Sequence, residues 1–112
     1  MGLKQYLSGI VGEDEACAYL KNQGFEIIER NFHSKFGEID IVAKRGEILH
    51  FIEVKSTAGN YEASYRLTRS KFEKLLKTVN FYLLEKGLNS DFQMDLLCIY
   101  KNKTDLRENI SF

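Results

Sequence analysis

The chain has 112 residues, of which 44% are hydrophobic and 29% are charged, a composition typical of a single globular domain over residues 1–112. Its 16 basic and 16 acidic residues cancel, which excludes attraction of the protein as a whole to nucleic acid and leaves only local charge separation for such binding. No apolar run approaches the roughly 20 residues of a membrane span and the N-terminus lacks a signal-peptide core, so we expect a cytoplasmic protein with no membrane partner.

The first predicted element is a helix from residue 3 to about residue 23, and the glycine that follows, Gly24, is a common helix terminator. Small and apolar residues recur along this helix at spacings of three and four, which would allow it to pack closely on a sheet. This stripe consists of Gly9, Gly12, Ala16 and Leu20. Glu13 lies beside the stripe, and its spacing alone favours an ordinary exposed glutamate.

Three strands are predicted to follow the helix. Residues 25–32 form the first, with two isoleucines at its centre. Two stretches of alternating apolar and polar residues come next, at residues 38–43 and 48–56, joined by a Lys-Arg-Gly-Glu segment. Strict alternation is typical of half-buried strands, and a short break that contains glycine is typical of a hairpin turn. The sequence therefore predicts a β-hairpin at the centre of the chain.

The register of this hairpin decides which charged side chains meet. We expect Ala43 to pair with Ile48, which makes Asp40 and Glu53 diagonal neighbours with Cα atoms roughly 7–8 Å apart. Lys55 then lies one step beyond Glu53 on the same face. Because side chains alternate along a strand, a slip by one residue would separate these groups. The charged face predicted by this register consists of Glu38, Asp40, Glu53 and Lys55.

Three carboxylates and a lysine on one face indicate a metal site. Like charges that face each other in a sheet repel unless a cation or solvent compensates. Mg²⁺ or Mn²⁺ takes oxygen ligands, and Mg²⁺ often binds through one or two carboxylates together with a substrate phosphate. Lys55 would add a positive charge that orients an attacking water or a phosphate oxygen. The alternative is a solvated hairpin face, and the residues alone leave both interpretations open.

A second helix is predicted from Thr68, a common N-cap residue, to about Lys86, with Gly87 closing it. Residues 66–86 contain six basic and two acidic side chains, so this helix is locally positive although the chain is neutral. Such a surface suits an anionic polymer, and the alternative is a solvated helix face. The residues that we expect to contact nucleic acid are Arg69, Lys71, Lys74 and Lys77.

The last predicted strand covers residues 92–100, and a mostly polar tail follows it. The element order is therefore α-β-β-β-α-β, which predicts an α/β domain with a mixed four-stranded sheet flanked by helices. Cys17 and Cys98 have no partner at metal-ligand spacing, so we expect two free and buried thiols. His33 and His50 are isolated in the sequence, and neither is predicted to bind a ligand.

Asp40 followed by Glu-Val-Lys at residues 53–55 resembles the motif of the PD-(D/E)XK nuclease superfamily. The longer strings Gly-Glu-Ile-Asp at residues 37–40 and Phe-Ile-Glu-Val-Lys at residues 51–55 resemble one small bacterial family of endonuclease-like proteins. That family is itself similar to archaeal Holliday-junction resolvases. The Gly-x-x-Gly-Glu string at residues 9–13 resembles its opening motif, so the likeness covers nearly the whole chain.

The resemblance implies a restriction-endonuclease-like core and metal-dependent hydrolysis of phosphodiester bonds in DNA, including branched or structured DNA. By that likeness, Asp40 and Glu53 would bind Mg²⁺ or Mn²⁺, with the backbone carbonyl of Val54 completing the site. Lys55 would position the attacking water, and Glu13 would be a third acid. A homodimer is compatible with this interpretation.

Three basic positions of the resembled family are changed in this chain. Thr57 and Gln93 replace arginines, and His33 stands in place of the basic residue that is usual there. The sequence therefore supports metal binding better than it supports tight DNA binding. The first alternative is a non-catalytic module that binds nucleic acid or assembles on the same fold, which the neutral charge favours. The second is a protein-interaction domain, which predicts no metal affinity.

Overall fold

The computed structural model describes residues 3–59, 64–101 and 103–111, with side chains described from Gly12 onward. The elements within these residues, in chain order, are α1 (Leu3–Asn22), β1 (Glu26–Ser34), β2 (Gly37–Arg45), β3 (Ile48–Ser56), α2 (Arg69–Glu85), β4 (Phe92–Tyr100) and β5 (Lys103–Arg107). The strands form one sheet in the order β1-β2-β3-β4-β5. β3 and β4 are parallel, and the other neighbours are antiparallel.

The predicted α/β class and the mixed sheet are confirmed, whereas the prediction of four strands is wrong. The fifth strand, β5, lies in the tail that the sequence analysis left without structure. It occupies a sheet edge and pairs only with β4, so most of its side chains need not be apolar. Leu106 packs against the core, and this single apolar residue is too weak a signal to predict a strand. Neither described helix is long and apolar enough to cross a membrane.

The helix α1 covers one face of the sheet, and it approaches the sheet closely at Gly12. A Cβ atom on Gly12 would lie 2.5 Å from the Oγ atom of Ser56 in β3, so only glycine fits there without a shift of its neighbour. The helix ends as predicted before Gly24, which has a φ of +90°. Of the predicted small-residue stripe, Gly9 lies outside the residues whose side chains are described. The core on this side consists of Ala16, Cys17, Leu20, Phe25, Ile41, Ala43, Ile52, Leu97 and Ile99.

The helix α2 covers the opposite face. Its predicted N-cap is confirmed, because the Thr68 hydroxyl accepts a hydrogen bond from the backbone N–H of Lys71 at 3.2 Å. The core on this side consists of Phe32, Ile39, Val42, Leu49, Phe51, Leu67, Leu75, Val79, Tyr82 and Met94. The sheet therefore lies between two apolar cores. Burial of each large apolar side chain in them stabilises the folded protein by about 1.5–3 kcal/mol.

The central hairpin forms where it was predicted, but its register differs by two residues. Ala43 pairs with His50, whereas the prediction paired Ala43 with Ile48. The turn is tighter than expected because it consists of only two residues, with Gly46 at a φ of +64° that suits a two-residue hairpin turn. A shift by an even number of residues keeps the paired side chains on their predicted faces, but Ile39 and Ile41 lie in opposite cores, so the alternation of β2 breaks at Asp40.

Candidate metal centre

The end of the β2–β3 ladder brings Asp40 and Glu53 near each other. The backbone pairing runs from Arg45–Ile48 to Ile41–Ile52, and Asp40 and Glu53 are the next residue on each strand. The alternation of β2 breaks at Asp40, so the regular spacing of opposed residues does not apply there. The two acids are nevertheless close enough for the charge of Asp40 to raise the pKa of Glu53.

A side chain continues the contact between β2 and β3 where the backbone ladder stops. The Oδ2 atom of Asp40 accepts a hydrogen bond from the backbone N–H of Val54 at 2.7 Å. This bond fixes one oxygen of the carboxylate against β3 and leaves Oδ1 as a possible ligand atom. Val54, the residue between Glu53 and Lys55, thus connects both strands at the candidate site.

The electrostatics of the pair are unfavourable to two negative charges. Burial raises the pKa of Asp40 to about 6, although the hydrogen bond from Val54 opposes that effect. Burial and, after it, the charge of Asp40 raise the pKa of Glu53 to about 7, and the charge of Lys71 opposes them. Two half-buried carboxylates that hold protons near neutral pH are an arrangement that a bound cation would relieve.

Lys55 lies on the predicted face, but its ammonium group points elsewhere. Side chains alternate along β3, so Lys55 shares a face with Glu53 and with Phe51 of the core under α2. Its Nζ atom lies 5.3 Å from the ring centroid of Tyr65. Among the described residues, no ion pair joins Lys55 to Asp40. The lysine is exposed, and its side chain is long and flexible.

Glu13 lies beside the acid pair and is held by two partners from β1. Its Oε1 atom accepts hydrogen bonds from Arg30 Nε at 2.9 Å and from Asn31 Nδ2 at 2.7 Å. Burial is the main cause of the raised pKa of Asp40, and Glu13 is among the carboxylates that raise it further. The structure therefore places Glu13 within electrostatic reach of Asp40, with one of its oxygens already bonded.

The four basic residues predicted to contact nucleic acid are all exposed on α2, at different distances from the acids. Lys71 lies near enough to Glu53 for its charge to act on that carboxylate. Lys77 lies six residues further, which is about 9 Å along the helix axis. Lys71, Lys74 and Lys77 are spaced three residues apart and form a row along α2 that begins near Glu53, whereas Arg69 points to nearly the opposite side of the helix from Lys71.

A second polar cluster, which the sequence analysis missed, is buried on the α1 side of the sheet. His50 Nδ1 lies 2.6 Å from Asp95 Oδ2, and the other oxygen of Asp95 accepts hydrogen bonds from Asn109 N at 2.9 Å and Gln93 Nε2 at 3.0 Å. His50 is isolated along the sequence but has a buried partner in the fold. Its partner is 45 residues away, and only the parallel pairing of β3 with β4 brings the two together.

This second cluster has donor atoms at a spacing that suits a metal, since ligand atoms of His50, Asp95 and Glu108 all lie within 4.8 Å of one another. Each of them already has a protein partner, however. His50 and Asp95 bind each other, and Glu108 Oε1 accepts a hydrogen bond from Arg45 at 2.5 Å. We therefore assign the cluster a structural role, in which it fixes the segment after β5 to β4.

A sequence profile of the uncharacterised protein family UPF0102 matches residues 12–99. The chain belongs to this family. Among its UPF0102 relatives, a protein of Campylobacter jejuni subsp. doylei is 64% identical over 112 residues, and one of Campylobacter lari is 62% identical over 112 residues. A UPF0102 protein of Campylobacter fetus subsp. fetus is 54% identical over the same length. All three alignments cover both chains completely. The region matched by the UPF0102 profile contains both paired acids, Lys55 and the whole of α2.

Proposed function

We propose that this UPF0102 protein hydrolyses phosphodiester bonds of DNA with the help of a divalent cation, Mg²⁺ or Mn²⁺. The observation that carries the proposal is the proximity of Asp40 and Glu53 at the end of the β2–β3 ladder, with Lys55 next to Glu53 on the same face of β3. A restriction-endonuclease-like arrangement, in which two acids and a lysine occupy adjacent strands, is part of this proposal.

The residues fit a hard divalent cation. Two carboxylates and the backbone carbonyl of Val54 offer only oxygen donors, which Mg²⁺ and Mn²⁺ prefer. The raised pKa values of Asp40 and Glu53 arise mainly from burial, and for Glu53 also from the charge of Asp40. A cation would offset both effects by replacing the protons. When bound, such an ion would neutralise charge on a phosphate and lower the pKa of a coordinated water.

The side chains have separate tasks in this proposal. Asp40 is oriented by its hydrogen bond from Val54, so its free oxygen is presented in a fixed direction. Glu53 provides the second carboxylate. Lys55 moves away from the ring of Tyr65 and donates to the attacking water or to a phosphate oxygen, because its ammonium group is a compact charge with three donors.

Nucleic acid would be held by α2 rather than by the net charge of the protein. The row of Lys71, Lys74 and Lys77 offers positive charge along α2 and begins near Glu53, and Arg69 adds a charge on another side of the first turn. Each basic side chain that contacts a phosphate releases counterions from the DNA, which contributes affinity without sequence specificity. We propose branched or otherwise structured DNA as the substrate class, in keeping with the resolvase-like motif.

The test is a cleavage assay with branched, single-stranded and duplex DNA in the presence of Mg²⁺ or Mn²⁺. We expect metal-dependent cleavage that Asp40→Asn and Glu53→Gln abolish. The matched control is Glu47→Gln, which changes an exposed acid in the β2–β3 turn and should leave cleavage unchanged. Binding of DNA without cleavage under all these conditions would contradict the proposal and favour a non-catalytic binding module.

A further inference from the structure

A shallow apolar groove lies between the β1–β2 turn and α2. It is lined by Phe36, Lys77, Asn80, Phe81 and Leu84 and has a volume of about 440 Å³. The side chain of Phe36 is 39% exposed and that of Leu84 is 82% exposed, although both are large and apolar. We call this feature the Phe36 groove. Exposed apolar side chains that are grouped in this way commonly mark a binding site.

The aromatic rings of the Phe36 groove pack on the hydrophobic core, and lysines lie at its border. The ring of Phe81 lies 5.6 Å from that of Phe36 and 6.2 Å from that of the buried Phe32. The Nζ atom of Lys35 lies 5.2 Å from the ring centroid of Phe36, and Lys77 provides a second cation. None of the five lining residues is acidic. The groove therefore combines flat apolar surfaces with a positive border.

The Phe36 groove lies on the α2 side of the sheet, which is also the side of Glu53 and Lys55. Asp40 is four residues after Phe36, which corresponds to about 13 Å along a strand. The start of β2 is held against α2, because a Cβ atom on Gly37 would lie 3.1 Å from the Oγ1 atom of Thr78. On α2, Lys77 belongs to the basic row that begins near Glu53. A strand of nucleic acid that followed this row would reach both places.

We propose that the Phe36 groove binds an unpaired nucleobase of the DNA strand whose phosphates reach the acid pair. A base presents a flat face that stacks on aromatic rings and a polar edge that forms hydrogen bonds, and the amide of Asn80 offers a donor and an acceptor for that edge. Lys35 and Lys77 would contact the flanking phosphates. The inference rests on the proposed function, from which it takes DNA as the bound polymer. It adds that the protein recognises an unpaired segment of that DNA.

The size and charge of the groove favour a nucleobase over a protein partner. Stable protein–protein interfaces use about 20–30 residues on each side, and their cores are depleted in lysine. The Phe36 groove has five lining residues, one of which is a lysine, and a second lysine contacts Phe36. These features match surfaces that bind single-stranded nucleic acid, where aromatic rings alternate with cations.

A tryptophan probe tests the stacking directly, because the chain contains no tryptophan. Phe36→Trp places a single tryptophan in the groove, and Phe92→Trp is the matched control. Phe92 is 37% exposed, close to the value for Phe36, and it lies outside the groove. In buffer with EDTA, a single-stranded oligonucleotide should quench the fluorescence of Phe36→Trp. An oligonucleotide with abasic sites and the same number of phosphates should quench it much less, and Phe92→Trp should respond to neither.

Affinity for the same oligonucleotide gives the second readout. Phe36→Ala should weaken binding of the single strand by about 5- to 150-fold, the range for loss of one base–aromatic stack. It should change binding of the abasic strand little. Phe92→Ala, which removes a ring of similar exposure, should bind both strands like the wild type.

The outcomes separate this inference from the proposed function. If the wild type binds no nucleic acid, both fail. If the wild type binds, two results would reject the nucleobase site: equal affinity of Phe36→Ala and Phe92→Ala, or equal binding of base-containing and abasic strands. The cleavage assay would still decide the proposed function. If the wild type is a dimer, and Phe36→Ala dissociates it without changing DNA binding, the groove binds a second copy of the chain. This result would also reject the inference.

Discussion

Replacement of Asp40 by asparagine should stabilise the metal-free protein at pH 8, although it removes a proposed metal ligand. The pKa of Asp40 is raised from 3.8 to about 6, mainly by burial. At 1.36 kcal/mol per pKa unit, the ionised form is disfavoured in the folded state by about 3 kcal/mol. Because the site is partly exposed to solvent, we expect a smaller net gain of about 1–2 kcal/mol. Asparagine retains an oxygen that accepts the hydrogen bond from Val54.

The pH dependence has a definite sign. The pKa values of Asp40 and Glu53 are higher in the folded than in the unfolded protein, so the folded protein binds protons more tightly. The stability from this source is complete below about pH 4 and is lost as the pH rises through about 6 to 7. The advantage of Asp40→Asn should therefore be largest at pH 8 and smaller at pH 5.

Urea unfolding in EDTA at these two pH values measures the effect, with Glu47→Gln as the control for loss of an exposed acid. Saturating Mn²⁺ should reverse the order of stability at pH 8. A ligand at 100 times its Kd stabilises the protein that binds it by about 2.7 kcal/mol, and only the wild type would gain this. An Asp40→Asn variant that is equal to or less stable than the wild type at pH 8 in EDTA would refute the electrostatic argument.

Three further predictions concern the lysines and the contact between α1 and β3. Lys55→Arg should bind DNA normally but cleave it at least about 100-fold more slowly, because a planar guanidinium cannot replace a compact ammonium in position or proton transfer. Lys71→Ala and Lys74→Ala should each reduce the slope of log affinity against log salt concentration by about one. Gly12→Ala should destabilise the protein by about 1–3 kcal/mol, because the new Cβ atom would meet Ser56, and Ser56→Gly in the same chain should restore stability.

Each of these predictions has an outcome that opposes it. A fully active Lys55→Arg would reduce Lys55 to a counter-charge for the acids. Salt slopes of Lys71→Ala that match those of the wild type and of the exposed control Lys44→Ala would remove α2 from the nucleic-acid contact. Failure of Ser56→Gly to rescue Gly12→Ala would locate the strain of that variant elsewhere in the helix.

The sequence patterns predicted the faces of most of the hairpin but not its pairing. The register error of two residues was even, so it kept the predicted faces of β3 and of residues 41–45, whereas the alternation of β2 breaks at Asp40, between Ile39 and Ile41. The error arose at the turn, where local preferences allow both a two-residue and a four-residue connection. Only the backbone angle of Gly46 shows that the two-residue turn forms, and the sequence does not reveal that angle.

Contacts between distant parts of the chain were beyond the sequence patterns. The bond of His50 to Asp95 depends on the pairing of β3 with β4, which are separated by α2. The restraint of Glu13 by Arg30 and Asn31 depends on how α1 lies against β1. The position of Lys55 over Tyr65 depends on a loop. None of these contacts has a periodic signal, because each is set by packing between elements.

Calorimetric titration with Mn²⁺ tests the central claim, that Asp40 and Glu53 together hold a divalent cation. The titration compares the wild type with Asp40→Asn, Glu53→Gln and the control Glu47→Gln. We expect one ion to bind per wild-type chain, Glu47→Gln to bind it equally well, and the two site variants to lose about 100-fold or more in affinity, which exceeds the usual effect of groups that only orient a ligand. Unchanged Mn²⁺ affinity in Asp40→Asn, or a wild type that binds no Mn²⁺, would contradict the assignment of this site.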